Sequence, residues 1–177
     1  MPHSIRTATT DDARALAALA AVTFPLACPP SASPEDIAAH LAGTLSEPHF
    51  EAYLADPDVT ILVIESDDGL RGYSLLVNRP ANDPDVVAAL DILPSVELSK
   101  CYVHPEHHGL GAAAELMHAS LVAAAETGGR GVWLGVNSQN ARAIRFYEKS
   151  GFRKVGTKSF RLGTTVEHDF VLERAVP

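Results

Sequence analysis

Apolar and polar positions alternate along this chain with two periods, and the changes of period mark its elements. Ser4 to Ala8 alternates as a short strand. From Thr9 or Thr10, which can cap, a helix is expected to about Phe24, with Asp11 and Asp12 in its first turn. Its apolar stripe holds Ala13, Leu16, Leu19 and Ala20, and Pro25 with Pro29–Pro30 should end it. Ser33-Pro34-Glu35-Asp36 reads as a helix start, followed by Ile37, Leu41 and Leu45 on one face. A shorter helix is expected over Glu47 to Leu54.

Strand character returns from Val59 to Ile64, and Asp67-Asp68-Gly69 signals a hairpin back through Leu70 to Val77. The segment from Arg79 to Leu93 is rich in Pro and Asp and reads as a surface loop, with a helical turn at Val86 to Leu90. Val96 to Val103 is a strand. Gly109 to Thr127 reads as a helix with Leu110, Ala114, Met117 and Leu121 on one face. Gly131 to Val136 is a strand. A helix capped by Ser138 or Asn140 runs to Lys149 and stops at Gly151. Two strands close the chain, Phe152 to Phe160 and Val166 to Leu172. Helices interrupt a mixed sheet, so the class is α/β or α+β. The 177 residues suit one domain, spanning 1–177, with no internal repeat.

The formal net charge of −8 disfavours nucleic acid and anionic membranes as partners and favours cationic ones. Cys28 and Cys101 lie far apart and form no CxxC pair, so neither a disulfide framework nor a thiolate zinc site is expected. No apolar leader segment is evident, and the stretch from Ala13 to Cys28 is too short to span a bilayer. A cytoplasmic location is the simplest expectation.

Two segments carry chemistry. After the strand at 96–103 comes His104-Pro105-Glu106-His107-His108-Gly109-Leu110-Gly111-Ala112-Ala113. Gly109 and Gly111 leave backbone N–H groups uncovered at a helix start, which makes an anion site, and the small Ala113 lets a diphosphate approach. There is no Lys-Ser or Lys-Thr ending as in a P-loop, and too few glycines for a dinucleotide fingerprint. His104 and His107 stand three apart but lack the HExxH arrangement, so no metal is expected. The second segment is Trp133 to Phe152, with Asn140, Ala143, Tyr147, Gly151 and Phe152 at fixed intervals.

Together the two segments resemble the GNAT superfamily of N-acetyltransferases. His108, Gly111 and Ala113 fall on its acyl-coenzyme A motif, except that His108 stands where the family has Gln or Arg. Asn140, Ala143, Tyr147, Gly151 and Phe152 follow the second motif without a damaging change. The segment Val155 to Gly163, with Glu167-His168-Asp169, is similar to the PaiA-type bacterial enzymes associated with polyamine acetylation.

The resemblance implies a mixed sheet of six to seven strands flanked by helices, with acetyl-coenzyme A as co-substrate. It implies that the backbone of Cys101, Tyr102 and Val103 meets the thioester and pantetheine. His108, Gly109, Leu110, Gly111, Ala112 and Ala113 would receive the diphosphate, while Asn140 and Ala143 border the arm. Tyr147 becomes the candidate general acid and Glu97 the candidate base. Plain alternation would place Glu97, Ser99 and Cys101 on one side of their strand, unless a bulge intervenes. Lys100, Arg142 and Arg145 are further candidates for phosphate contacts. Acids at Glu35, Asp36, Glu47, Glu51, Asp83, Asp85 and Asp91 would line an acceptor pocket for a small cationic amine. A peptide or protein amine, an amino acid, an aminoglycoside-like drug, or acyl-coenzyme A binding without catalysis remain the alternatives. Dimerisation is frequent in the superfamily, so a homodimer is a further expectation.

Overall fold

A computed structural model describes residues 3–177. Seven strands form one sheet: β1 (Ser4–Thr7), β2 (Val59–Ser66), β3 (Gly69–Val77), β4 (Ser95–Val103), β5 (Gly131–Asn137), β6 (Arg153–Leu162) and β7 (Thr165–Ala175). The spatial order is β1-β2-β3-β4-β5-β7-β6. Every neighbouring pair is antiparallel except β4 and β5. That one parallel pair needs a crossover, which α5 (Ala112–Glu126) supplies.

Helices cover both faces. On one, α1 (Ala13–Ala27), α2 (Pro34–Thr44) and α3 (Glu47–Ala55) pack on Ile61, Val63, Tyr73 and Leu75. The short α4 (Pro84–Ala89) lies against Trp133 and Val171 through Val86. On the other, α5 and α6 (Ala141–Lys149) cover Leu98, Val132, Leu134 and Val136. Both faces of the central strands are therefore apolar, as a sheet buried on two sides requires. No helix among the described residues is long and apolar enough to cross a membrane.

Three expectations change. First, α1 runs through Pro25 to Ala27. The proline forfeits one N–H bond, but its carbonyl still accepts from the Cys28 N–H, so the helix gains a last turn before Pro29–Pro30. Second, α5 begins at Ala112 rather than Gly109. Gly109 and Gly111 have φ of 80° and 82°, a left-handed conformation that cannot continue a right-handed helix. The buried stripe is accordingly Ala112, Leu116, Met117, Ser120, Leu121 and Ala124, whereas Leu110 and Ala114 are exposed.

The third change concerns β4. Leu76 pairs with Leu98 and Leu75 with Lys100, leaving Ser99 as an extra residue. This bulge inverts the alternation beyond it. Glu97, Lys100 and Tyr102 share the face toward α1–α3, while Leu98, Cys101 and Val103 turn toward α5. Cys101 and Glu97 therefore do not share a side.

Candidate active site

The parallel pairing of β4 with β5 stops after three residue pairs, the last being Glu97 with Trp133. Both strands continue, to Val103 and Asn137, but they diverge. The edge of β4 toward β5 is thereby left without a ladder, and a cleft of about 560 Å³ opens at the divergence. Backbone groups at such an edge are free to bond a guest.

Of the thirteen residues expected to be catalytic or to meet the coenzyme through strand β4, the glycine turn or α6, ten line this cleft: Glu97, Cys101, Tyr102, Val103, His108, Gly109, Ala113, Asn140, Ala143 and Tyr147. Three do not. Leu110 is 70% exposed, Gly111 caps α5, and the side chain of Ala112 is buried under the sheet. Their backbone is what matters at this turn. Among the described residues, the N–H groups of Gly109, Leu110, Gly111, Ala112 and Ala113 meet no acceptor. Five free donors at the start of a fifteen-residue helix make a cradle for an anion. A Cβ at Gly109 would meet nothing within 4 Å, so the approach is open.

Tyr147 projects from α6 beside Cys101 and Tyr102, wedged between Phe146 (ring centroids 5.5 Å) and Phe152 (5.9 Å). The sequence places it there because Asn140 caps α6, its Oδ1 accepting the Ala143 N–H at 3.1 Å, and Gly151 turns the chain back. Burial holds the phenol well above its ordinary pKa, so it keeps its proton at neutral pH and has one to give. The Cys101 thiol is pushed up to about 12, again by burial, which leaves no thiolate for nucleophilic attack.

Across the gap, burial also raises the Glu97 carboxyl above the usual range, against an opposing pull from Lys100 and Lys158. A carboxylate raised in this way is a better proton acceptor than a solvated one. Lys100 itself is lowered by burial and lies over the Tyr53 ring, 5.4 Å from its centre. It therefore belongs to the α3 side of the cleft, away from the glycine turn. Arg142 reaches the turn, whereas Arg145 does not line the cleft.

None of the seven acids expected to line an acceptor pocket does so. Most serve local structure: Asp83 Oδ1 accepts the Asp85 N–H at the start of α4, Asp91 pairs with Arg153 at 2.8 Å, and Glu35, Asp36 and Glu47 sit in first helical turns. The acids in the cleft, apart from Glu97, are Glu167 and Asp169 on β7, each 7% exposed. Glu167 has only long contacts, from Asn137 Nδ2 (3.4 Å) and Ser31 Oγ (3.5 Å). Asp169 Oδ1 has no partner among the described residues, and burial raises its carboxyl. The signal was present in the strand alternation, since Glu167, Asp169 and Val171 are one face of β7. Aromatic walls complete this side, with His40 stacked on Phe24 at 4.5 Å and edge-on to Phe160. Near the turn, His104, Glu106 and His107 come within 4.8 Å of one another, but Glu106 is exposed and the Arg71 guanidinium bonds His107, which suits a cation poorly.

A model of the acetyltransferase (GNAT) family matches residues 26–152. An uncharacterized N-acetyltransferase of Mycobacterium tuberculosis is 48% identical over 163 residues, covering 92% of this chain and 97% of that protein. Another, from Lactobacillus delbrueckii subsp. lactis, is 29% identical over 152 residues, 81% of this chain and 80% of its own. Among solved structures, the PaiA N-acetyltransferase of Thermoplasma acidophilum in complex with coenzyme A superposes with a TM-score of 0.78 at 21% identity, covering 99% of each chain. The ribosomal-protein-S18-alanine N-acetyltransferase of Escherichia coli gives 0.70 at 16%, covering 99% of this chain and 94% of that one. With its diverging β4 and β5, its glycine turn and its buried tyrosine, this chain belongs to the GNAT family of N-acetyltransferases, enzymes that use acetyl-coenzyme A as co-substrate.

Proposed function

We propose that the chain transfers acetyl directly from acetyl-coenzyme A to the primary amine of a small, polyamine-like cation. The observation that carries this reading is the placement of Glu97 and Tyr147 around one gap in the sheet, with Glu167 and Asp169 beyond Glu97. An alkyl ammonium titrates near pH 10.4, so it must lose a proton before it can attack. Glu97 takes that proton, directly or through a water. The amine nitrogen then bonds to the thioester carbonyl, and the oxyanion accepts from backbone N–H groups on the free edge of β4. When the carbon–sulfur bond breaks, the leaving thiolate takes the proton of the Tyr147 hydroxyl, and the tyrosinate regains one as the amide nitrogen sheds its second proton. The buried carboxylates on β7 supply the attraction for a cation. The enclosure of this side by α1, α2 and the β6–β7 hairpin favours a small acceptor over a protein surface.

One observation favours a second reading. Lys100 and Lys158 also face the cleft, and neither has a carboxylate within salt-bridge distance among the described residues. An acceptor bearing a carboxylate beside its amine, such as an amino acid, would satisfy them. The acidic surface and the fold suit a cytoplasmic enzyme acting without nucleic acid or membrane, and a homodimer is consistent with this proposal. A turnover screen with acetyl-coenzyme A against spermidine, spermine, diamines, aminoglycosides, amino acids and short peptides separates the readings. Preference for di- and polyamines, with one acetyl per product mass, supports the first. Preference for amino acids supports the second, and thioester uptake without turnover on any amine would contradict both.

A further inference from the structure

At the position where the family has Gln or Arg, this chain has His108, and the structure shows what the ring does instead. Its Nε2 lies 2.7 Å from the Val103 carbonyl, which can only accept, so Nε2 carries the proton. Its Nδ1 lies 2.7 Å from Arg142 Nη2, which can only donate, so Nδ1 is bare. Both bonds require one neutral tautomer. The ring is thus a rigid bridge from the end of β4 to the first turn of α6, spanning the mouth where β4 and β5 diverge. Arg142 is otherwise exposed and makes no ion pair with any described carboxylate. An arginine held by a single bond to a neutral acceptor keeps its full charge and several donors free. It lines the same cleft as Gly109 and Ala113, beside the uncovered N–H groups of the turn.

We infer that Arg142 is a phosphate-binding residue for the coenzyme and that His108 is its positioning residue. The charge missing from the turn at 108 is supplied from α6, and the neutral imidazole aims it. Backbone donors orient a phosphate, but they bring no formal charge. A guanidinium adds charge-assisted bonds to the phosphate oxygens, which the diphosphate or the 3′-phosphate can supply. This inference rests on the family's co-substrate and not on the identity of the acceptor.

Calorimetric titration in the absence of any acceptor tests it, using coenzyme A, dephospho-coenzyme A and pantetheine. Arg142→Ala should weaken coenzyme A about tenfold, the loss of charged hydrogen bonds, and leave pantetheine unchanged. Loss of the effect on dephospho-coenzyme A assigns the 3′-phosphate; its persistence assigns the diphosphate. His108→Ala, which frees the guanidinium without removing it, should weaken coenzyme A about threefold. Arg142→Ala should also flatten the salt dependence of binding. Adding His108→Arg to Arg142→Ala should recover most of the affinity, a rescue that a merely structural contact would not permit. Equal weakening of coenzyme A and pantetheine, or no change with either single variant, would overturn the inference. Because no acceptor enters the titration, a failed acceptor assignment leaves this result intact, and the reverse also holds.

Discussion

The two ends of the cleft are built from different materials. At the end expected to take the coenzyme, the groups on offer are main chain: five free N–H groups at the start of α5 and the unladdered edge of β4. At the end proposed for the acceptor, the groups on offer are side chains brought from α1, α2, α3, β4, β6 and β7. Main-chain recognition depends on backbone conformation and tolerates exchange of the residues that do not set it. His108 in place of the expected Gln or Arg leaves those N–H groups as they are, and the charge it lacks is the one inferred to come from Arg142. Side-chain recognition changes with each substitution, so the acceptor end can diverge while the donor end stays recognisable.

The comparison breaks most sharply at Tyr147, where the two ends meet. Tyr147→Phe should lower kcat by about 100-fold or more while coenzyme A affinity stays within about twofold. Steady-state kinetics alongside a binding titration check both halves. Glu97→Gln should lower kcat/KM by about tenfold or more and erase its acidic limb. In the wild type that limb should lie above the usual carboxylate range, because burial raises Glu97 and only its ionised form accepts the amine proton. A pH–rate profile unchanged by the substitution would remove Glu97 from the mechanism.

Smaller effects sharpen the contrast. Gly111→Ala puts a side chain at φ 82° and should weaken coenzyme A by about tenfold through distortion of the turn, with acceptor KM little changed. Asp169→Asn should do the reverse, raising acceptor KM by about threefold to tenfold and leaving the coenzyme untouched. The smallest effect is on stability. The folded-state carboxyl of Glu97 is raised, so its stabilising contribution is complete below the unfolded pKa and is lost as pH rises through the folded one. Glu97→Gln should therefore melt slightly above wild type at pH 7, and the gap should close as pH falls through the usual carboxylate range.

What the sequence made legible follows the same division. The glycines at 109 and 111, the Asn140 cap and the Tyr147 spacing are local features, and each acts within a few residues of itself. The order of elements was likewise readable, because period changes mark them. The sequence pattern misplaces the start of α5, because alanine and leucine around the turn continue a helical pattern while the left-handed glycines stop it. The bulge at Ser99 left no trace in β4, yet it decides that Lys100 faces α3 with Glu97. Helix-start carboxylates are abundant because they cap, and in the sequence they mask the acids that reach the cleft. Glu167 and Asp169 join Glu97 only through the placement of β7 beside β5, a contact between residues seventy positions apart in sequence order.

A crystal structure with acetyl-coenzyme A bound tests the central claim most directly. The account predicts phosphates on the N–H groups of residues 109–113 and a pantetheine arm between β4 and β5. It places the thioester sulfur within about 4 Å of the Tyr147 hydroxyl. A coenzyme bound elsewhere, or a sulfur that points away from Tyr147, would contradict it.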